Sequence, residues 1–398
     1  MERDLRVLFF VEGYTDIRFV VGLSSICRLV VAVPSRPYVE SGLKQRLAQS
    51  SASLRVDEIN GGRVGFQLRS FVYLWQRARD FDVILSQEAL RGSLNANVIG
   101  ALQGVPVVMS MGSSPVESFR CRRIRRQINW AKAVLGETVI WTLLRINGRL
   151  AARCLGIGPY LRDVAARFCP RTQIGLHHGV DTDYFRPADH AERAELRRKL
   201  DLPVEKFMIF CSSRISHEKD PETVLKAAAL ARTRGLDAVL INLGGGYKEF
   251  LHLAGQLHLP EAGSWVLGRP AAHPMTELAD YFRAADVLAQ ASLAEGLGFS
   301  PLEALACGTP VVATAVGGMA VQLKGYARLT PLRDPEAMAE QFLWVRANPD
   351  QARAQALQGR EFVIREWNRQ KAFVDLLSVL ETVVRKEQVA DKRKRNGN

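Results

Sequence analysis

Two glutamates in the C-terminal half of the chain have the residue type and the spacing to form a binding site. Glu295 and Glu303 are separated by seven residues within the stretch LAEGLGFSPLEALACGTPVVAT. The preceding run DVLAQAS is predicted to be a strand. Glu295 and the glycines after it therefore lie at the carboxyl end of that strand, where open α/β sheets bind ligands. An ionised carboxylate only accepts hydrogen bonds, so these side chains suit hydroxyl groups and repel phosphate.

The backbone between the two glutamates indicates an anion site. A helix is predicted to start after the loop, and its N-terminus would present the amides of Gly298, Phe299 and Ser300 to a negatively charged group. Carboxylates on both sides of an anion-binding turn fit a ligand that has a sugar on each side of its phosphates. The stretch therefore predicts binding of a nucleotide-sugar.

The same residues also fit a helix start that has no function. The tetrapeptide SPLE matches a capping box, with Ser300 as the N-cap, Pro301 at the first helical position and Glu303 at the third. On this interpretation Glu303 only returns a hydrogen bond to the Ser300 amide. The sequence leaves both interpretations open.

Strand-like and helical patterns alternate along most of the chain, and the strand-like runs are continuously apolar. This pattern is typical of parallel strands that are buried on both faces. The runs are LRVLFFV, CRLVVAVP, DVILSQ, VPVVMS and QIGLH in the first half, then FMIFCSSR, DAVLINL, SWVLG, DVLAQAS and PVVAT. We predict an α/β protein with two Rossmann-like, doubly wound domains in tandem.

The border between the two domains is predicted near HHGVDTDYFRPADH. This border gives an N-terminal domain over residues 1–185 and a C-terminal domain over residues 186–362. After Pro331 the pattern is helical, and residues 363–388 are predicted to form a C-terminal helix. The basic residues 389–398 are predicted to be a disordered tail.

The chain is strongly basic, with 54 Lys+Arg against 41 Asp+Glu and a net charge of +13. Such an excess favours an anionic substrate, an anionic lipid surface or nucleic acid. No aromatic–basic RNA motif or recognition helix supports nucleic acid. The six cysteines form no C-x-x-C pair, which predicts reduced thiols in a cytosolic protein and no structural zinc. The N-terminus is a poor signal peptide, and no segment is apolar enough to span a bilayer.

Basic residues are concentrated between Phe119 and Leu150. They are Arg120, Arg122, Arg123, Arg125, Arg126, Lys132, Arg145 and Arg149, and Glu137 is the only acid in this range. A basic cluster beside Trp130, Trp141 and several leucines indicates a helix that lies on an anionic membrane face. A domain helix with a solvated basic side and a buried tryptophan is the alternative.

The stretch around the two glutamates resembles the E-x7-E motif of retaining glycosyltransferases with the GT-B fold, in particular family 4 (glycosyl transferases group 1). The surrounding pattern EG-G--PLEA-ACGTPVV makes the resemblance specific. It implies two Rossmann-like domains that face each other across a cleft, and a C-terminal helix that crosses back to the first domain. It also implies that Glu303 binds the ribose diol of the donor, while Glu295 and the amides of Gly298 and Phe299 contact the transferred sugar.

The upstream stretch CSSRISHEKDPETVLKAAALA is similar to the Arg…Lys element of the same family and places Arg214 and Lys219 just after a strand. When a sugar leaves a diphosphate, negative charge grows on the phosphates, and fixed cations there stabilise the transition state more than the ground state. We therefore expect Arg214, Lys219 and Glu295 to be catalytic. The alternative is that Asp220 caps a helix that has Pro221 at its first position, and that Lys219 is merely exposed.

Glycines in two other loops are expected to contact the substrate. In NLGGGYKEF, Gly245 lies in a turn between a strand and a predicted helix, where the backbone can approach a nucleotide closely. This turn resembles the family's glycine turn in the second domain. Gly13 follows the first strand, where the family has a glycine loop that faces the cleft. A plain strand-to-helix turn is the alternative for Gly13.

The stretch HHGVDTDYFRP differs from two signatures. Its Asp181-Thr182-Asp183 imitates the D-x-D metal signature of a different glycosyltransferase fold, but its setting resembles the N-G-V-D interdomain segment of family 4, with His178 in place of Asn. We expect Asp181 to be a turn residue, and we expect no metal and no other cofactor. Many family members also carry a histidine after the strand corresponding to VPVVMS, whereas residues 109–114 are MSMGSS.

The resemblance implies a glycosyltransferase that moves a sugar from a nucleotide-diphosphate sugar to an acceptor with retention at the anomeric carbon. The acceptor expected from the family is a glycolipid or polysaccharide precursor of the cell envelope. The expected location is the cytoplasm, at the inner face of the plasma membrane. A nucleotide-sugar epimerase of the same fold and a catalytically inactive protein that binds sugar-nucleotides are the alternatives.

Overall fold

The computed structural model describes residues 5–212, 215–216 and 218–396, with side chains up to Val389. Within these residues the chain divides into two compact units. The first unit is formed by the residues up to Arg123, by Ile128–Gly179 and by the residues from Gln370 onward, and the second by Ile124–Gln127 and Val180–Arg369. Each unit is built around a parallel β-sheet.

The first unit alternates strands and helices. Its strands are β1 (Arg6–Phe10), β2 (Arg28–Pro34), β3 (Arg55–Ile59), β4 (Val83–Gln87), β5 (Val107–Met111), β6 (Arg153–Ile157) and β7 (Thr172–Gly175). Its helices include α1 (Ile17–Ser24), α2 (Ser35–Glu40), α3 (Leu43–Ala48), α4 (Arg63–Arg77), α5 (Arg91–Gln103), α6 (Pro115–Ile124), α7 (Trp130–Leu150) and α8 (Gly158–Ala166), with a 3₁₀ turn at Ala78–Asp80. The strand order β3-β2-β1-β4-β5-β6-β7 starts in the middle of the sheet and winds outward in both directions, as in doubly wound folds.

The central strand of this sheet is buried because its side chains are apolar on both faces. Val7, Leu8, Phe9 and Phe10 are fully buried, and the parallel register pairs Val7 with Leu29 of β2 and with Val83 of β4. The helix after β1 starts at a defined point, since the carboxylate of Asp16 accepts a hydrogen bond from the Arg18 amide over 2.8 Å.

The second unit repeats the scheme. Its strands are β8 (Phe207–Cys211), β9 (Ala238–Leu243), β10 (Val266–Arg269), β11 (Val287–Gln290), β12 (Val311–Thr314) and β13 (Arg328–Thr330), in the order β10-β9-β8-β11-β12-β13. Its helices are α9 (His190–Lys199), α10 (Pro221–Thr233), α11 (Tyr247–Gln256), α12 (Ala262–Trp265), α13 (Leu278–Ala284), α14 (Phe299–Ala306), α15 (Gly317–Gln322), α16 (Pro335–Ala347) and α17 (Pro349–Glu366). Phe250, Trp265 and Phe342 are fully buried in its core.

The prediction of two doubly wound α/β domains is confirmed, and each apolar run predicted as a strand overlaps one. The strands β3, β6 and β13 add to the predicted ones. β3 and β13 lie at the edges of their sheets, where polar side chains such as Asp57 and Glu58 are tolerated, so these strands lack the continuous apolar pattern.

The C-terminal helix α18 (Arg369–Asn396) differs in its bounds from the sequence prediction of a helix over 363–388 and a tail over 389–398. The helix is interrupted between α17 and α18, where the connecting residues form backbone hydrogen bonds with Val180. The Val180 amide donates to the carbonyl oxygen of Trp367 over 2.7 Å, and the Arg369 amide donates to the carbonyl oxygen of Val180 over 3.0 Å. The helix continues to Asn396 in keeping with the high helix propensity of its lysines and arginines.

The basic segment from Phe119 to Leu150 forms two helices, α6 and α7, rather than one. The chain turns between them, where Arg126 has a φ of 55°, and the Asn129 side chain then caps α7. Trp130 is 68% exposed, so the alternative of a buried tryptophan is wrong for this residue. Among the helices of the described residues, none has the length and apolar character needed to cross a membrane.

Candidate active site

Lys219 and Glu295 are in direct contact beyond the carboxyl ends of β8 and β11. Nζ of Lys219 donates a hydrogen bond to Oε2 of Glu295 over 2.5 Å. The loops that carry these residues are also joined through their backbones, since the Leu293 amide donates to the carbonyl oxygen of Glu218 over 2.6 Å. The side chain of Lys219 is 20% exposed, so the alternative in which Lys219 is merely exposed is wrong.

Gln290 and Ser292 bind the same carboxylate oxygen of Glu295. Nε2 of Gln290 donates to Oε2 over 2.8 Å, and Oγ of Ser292 donates over 3.3 Å. Within the described residues Oε1 of Glu295 has no hydrogen-bond partner, and it remains able to accept a hydrogen bond from a sugar hydroxyl. Sequence reasoning missed Gln290 and Ser292, although two polar residues at the end of an apolar strand were a usable signal.

The start of α14 decides between the two interpretations of SPLE. Gly298 is the N-cap and has a φ of 86°, a left-handed conformation that favours glycine. Ser300 is the second helical residue, and its Oγ donates to the carbonyl oxygen of Ser212 over 3.3 Å. The capping-box interpretation is therefore wrong, because the turn at Gly298 starts the helix before Ser300.

The residues of α14 that were predicted to bind the donor lie on a well-anchored helix. Phe299, its first residue, packs edge-to-face against Trp367 with ring centroids 6.4 Å apart. Glu303 is buried, with 2% of its surface exposed. A carboxylate in such a position is stable only when polar partners satisfy it.

Gly318, which sequence reasoning missed, fixes the loop between the two glutamates. A Cβ added at Gly318 would lie 1.9 Å from the carbonyl oxygen of Gly296, and the Gly318 amide donates to the carbonyl oxygen of Glu295 over 2.9 Å. The glycine pair that follows the PVVAT strand was the signal. Backbone contact between α15 and this loop therefore supports the position of Glu295.

The two loop glycines predicted to contact the substrate have no steric need for glycine. Gly245 lies between Gly244 and Gly246, which have positive φ values of 147° and 95°. Nothing lies within 4 Å of a Cβ added at Gly245 or at Gly13, and neither has a positive φ. Open space at Gly245 suits close approach of a ligand, and the predicted contacts of both glycines stay predictions.

Arg214, the second predicted cation, lies outside the described residues, so its role stays a prediction. Asp220 is the N-cap residue of α10 with Pro221 after it, as the sequence predicted. Its carboxylate accepts a hydrogen bond from Oγ1 of Thr223 over 2.7 Å rather than from a helix amide. Lys219 therefore directly precedes the N-terminus of α10, which fixes the position of its backbone.

Asp181 is a turn residue, as the sequence predicted. Its Oδ1 accepts a hydrogen bond from the Tyr184 amide over 3.1 Å, and its Oδ2 accepts one from Arg369 over 3.2 Å. Across the described parts of the chain, no group of three or more His, Cys, Asp or Glu side chains has the arrangement to hold a metal ion.

His177 and His178 lie in the first unit beside Asp16 and Arg18. His178 is buried, its Nδ1 contacts the Gly179 carbonyl oxygen at 2.5 Å, and its Nε2 lies 3.7 Å from Asp16. Removal from water lowers the pKa of His177 to about 4 and the pKa of His178 well below its usual value, although Asp16 opposes both shifts. These side chains therefore act as neutral packing groups at neutral pH.

Sequence comparison relates the second unit to a known family. Residues 192–362 match the family model of glycosyl transferases group 1. D-inositol 3-phosphate glycosyltransferase 1 from Catenulispora acidiphila is 31% identical over 274 residues, which cover 66% of this chain and 63% of the relative. The chain thus spans less than two thirds of that relative's length.

Solved structures share the fold over nearly the whole chain. HepE from Anabaena in complex with UDP-glucose has a TM-score of 0.75 at 16% identity, covering 95% of this chain and 100% of that chain. WaaG, a glycosyltransferase involved in lipopolysaccharide biosynthesis, has a TM-score of 0.70 at 13% identity, covering 94% of this chain and 99% of that chain. The chain therefore has the GT-B fold, and its residues 192–362 are similar to the glycosyl transferases group 1.

Proposed function

We propose that this protein is a retaining glycosyltransferase of family 4 that moves a sugar from a nucleotide-diphosphate sugar to an acceptor. The contact of Lys219 with Glu295 beside the N-terminus of α14 carries the proposal, because it brings a cation, a carboxylate and helix amides into one site. That combination suits a ligand with both phosphates and hydroxyl groups. The solved complex of HepE with UDP-glucose supports a nucleotide-sugar as the donor.

Each residue expected from the sequence has a role in the proposed site. Lys219 and Arg214 bind the diphosphate. Glu303 binds the ribose, and Glu295 with the amides of Gly298 and Phe299 binds the transferred sugar. The substrate is also contacted by Ser300, Gly245 and Gly13. Gln290 and Ser292, which hold Glu295 through hydrogen bonds, position that carboxylate for the sugar hydroxyls.

In the proposed reaction, the bond between the anomeric carbon and the phosphate oxygen breaks as the acceptor hydroxyl attacks on the same face. The acceptor's proton passes to the leaving phosphate oxygen, and the growing negative charge of the diphosphate is stabilised by Lys219. Lys219 exchanges part of its contact with Glu295 for the phosphate, while Gln290 and Ser292 keep the carboxylate in place. This scheme uses side-chain cations and helix amides, and it requires no metal.

The proposed acceptor is a glycolipid or polysaccharide precursor of the cell envelope. The relative from C. acidiphila is named for D-inositol 3-phosphate, and WaaG is described as acting in lipopolysaccharide biosynthesis. An anionic or lipid-linked acceptor also suits the net charge of +13.

The proposed location is the cytoplasm, at the anionic inner face of the plasma membrane, with α6 and α7 in contact with the lipid. Arg122 and Arg123 are exposed on α6, and Trp130 and Leu135 are 68% and 67% exposed on α7. Exposed arginines beside exposed apolar side chains match the composition of helices that bind anionic membranes. Charge reversal at Arg122 and Arg123 should therefore lower flotation with anionic vesicles and leave donor binding unchanged.

A thermal-shift panel with UDP-, GDP- and ADP-sugars tests the donor site. A donor at ~100 times its dissociation constant should stabilise the fold by about 2.7 kcal/mol. Transfer is then measured with the stabilising donor and lipid-linked acceptors. A donor that is isomerised without acceptor would indicate an epimerase, and a donor that is bound but neither transferred nor hydrolysed would indicate an inactive binding protein. Failure of all three sugar-nucleotide classes to stabilise the protein would reject the proposal.

A further inference from the structure

The helix α4 carries an apolar stripe on its exposed side. The stripe consists of Val64, Leu68, Phe71, Val72 and Trp75, which are between 40% and 75% exposed. Their spacing of i, i+4, i+7, i+8 and i+11 places them within an arc of about 100°. The helix packs on the first unit through another face, where Phe66, Ser70 and Leu74 are buried. The stripe is therefore a second apolar face that the fold itself does not use.

A further exposed apolar residue follows on α5, which packs against α4. Nε2 of Gln103, at the end of α5, donates to the carbonyl oxygen of Trp75 over 2.7 Å, and the neighbouring Leu102 is 64% exposed. Single exposed apolar residues are common on proteins, whereas contiguous patches mark contact surfaces. The stripe on α4 is such a patch.

The charges on α4 indicate what the patch contacts. The helix contains Arg63, Arg69 and Arg77 and no acidic residue. Asp80 pairs with Arg77, whereas Arg63 and Arg69 form no ion pair with any described residue. A helix with Trp, Phe and Leu on one face and unpaired arginines beside them is typical of segments that lie in an anionic membrane interface. A second copy is a poorer fit, since symmetric pairing through α4 would bring like charges of two chains with a net charge of +13 together.

We propose that α4 inserts its apolar stripe into the surface of an anionic bilayer, with Arg63 and Arg69 at the level of the lipid phosphates. The inference rests on the membrane location proposed above and adds a second contact to it. Helix α5 packs against both α4 and α7, so α4 and α7 flank the same helix of the first unit. In this arrangement α4 supplies apolar insertion, while α6 and α7 supply most of the charge.

Flotation of the full-length protein tests the insertion, with vesicles of phosphatidylcholine alone and of phosphatidylcholine mixed with phosphatidylglycerol. The triple variant Leu68→Ser/Val72→Ser/Trp75→Ser should lower partitioning into the mixed vesicles by at least about tenfold. Its melting temperature should stay close to that of the wild type, because the three side chains are exposed. Val72→Ser alone is compared with Val374→Ser, which makes the same change at an exposed position of α18 and should leave flotation unchanged.

A fluorophore reports insertion directly. All six native cysteines are buried, so Leu68→Cys offers a selective site for an environment-sensitive dye. Its emission should shift to the blue with phosphatidylglycerol vesicles and stay unchanged with phosphatidylcholine alone. The same dye on Val374→Cys should show no shift with either.

Each contrary result has its own meaning. Wild-type flotation of the triple variant, or a dye at position 68 that stays in water while the protein floats, would overturn insertion of α4 and leave α6 and α7 as the contact. A wild-type protein that floats with neither vesicle would overturn both membrane proposals, while stabilisation by nucleotide-sugars would still decide the donor site separately. A concentration-dependent dimer that the triple variant loses would assign the stripe to a second copy instead.

Discussion

Lys219 and Glu295 form an ion pair between loops that lie 76 positions apart in the chain. The pair holds a largely buried cation where a diphosphate would need it, because each charge lowers the cost of removing the other from water. A phosphate that binds Lys219 must compete with Oε2 of Glu295, whereas a sugar hydroxyl can bind Oε1 without breaking the pair. In the proposed site, the same contact would therefore serve both halves of a sugar diphosphate.

Replacement of Lys219 by alanine should lower kcat/KM for the donor by a factor of about 100 to 1,000, because a fixed cation at the leaving group stabilises the transition state. Stability should change far less, since Gln290 and Ser292 still bind Glu295. Steady-state kinetics and thermal melts of Lys219→Ala measure the two effects.

The matched control is Lys226→Ala, which removes a lysine from a half-exposed pair with Glu222 on α10. Its kcat/KM should equal that of the wild type, because such pairs contribute little to stability and Lys226 has no role in the proposed site. An intact turnover number in correctly folded Lys219→Ala would remove Lys219 from the mechanism.

Gln290 should affect kcat/KM only by positioning the carboxylate of Glu295. Gln290→Leu keeps the side chain's approximate size and removes the donor to Oε2, so we expect about a tenfold loss of kcat/KM, mainly as a higher KM for the donor sugar. A double-mutant cycle with Glu295→Gln separates positioning from a general structural effect. Once Glu295 is replaced, Gln290→Leu should cost little more activity. Additive losses in the double variant would contradict the positioning role.

The fold was predictable from sequence wherever strands are buried on both faces. VLFF in β1 and VLIN in β9 are such runs, and their continuous apolar pattern is typical of strands in the middle of a sheet that is covered on both faces. The polar strand β3 and the short strand β13 depend on their places at sheet edges, which no local pattern encodes. The turn between α6 and α7 at Arg126 was also hidden within a continuous basic segment.

Part of the site was predictable because its chemistry lies in charged residues. Glu295 and Lys219 were expected from their motifs, and the structure brings them together. The roles of Gln290 and Gly318 arise from contacts between separate segments, so residue type alone does not reveal them. The apolar stripe of α4 was hidden for a related reason, since an amphipathic pattern does not tell which apolar residues the fold leaves exposed.

Gly318→Ala should damage both stability and activity. The added Cβ would lie 1.9 Å from the Gly296 carbonyl oxygen, so the loop that carries Glu295 must move. We expect a loss of more than about 1 kcal/mol in the free energy of unfolding and a clear fall in kcat/KM. Gly255→Ala is the control, because open space surrounds that helical position and the change should stabilise α11 by up to about 1 kcal/mol. A Gly318→Ala protein as stable and active as the wild type would show that the loop adapts freely.

His177 should make the protein sensitive to mild acid. Its pKa is about 4 in the fold, where the ring packs against Phe19, and about 6.5 in the unfolded chain. Between these values the unfolded chain binds a proton at this residue that the native ring does not bind. The free energy of unfolding therefore has its full value above pH 6.5 and falls as the pH drops toward 4. Asparagine tolerates the positive φ of 52° at this position, so His177→Asn should fold normally. It should reduce that fall by an amount on the order of 3 kcal/mol, leaving the contribution of His178. Urea unfolding at several pH values measures the change, with exposed His252→Asn as the control that should follow the wild-type curve. An identical acid-dependent fall in His177→Asn and wild type would show that the His177 ring is not kept neutral by the fold.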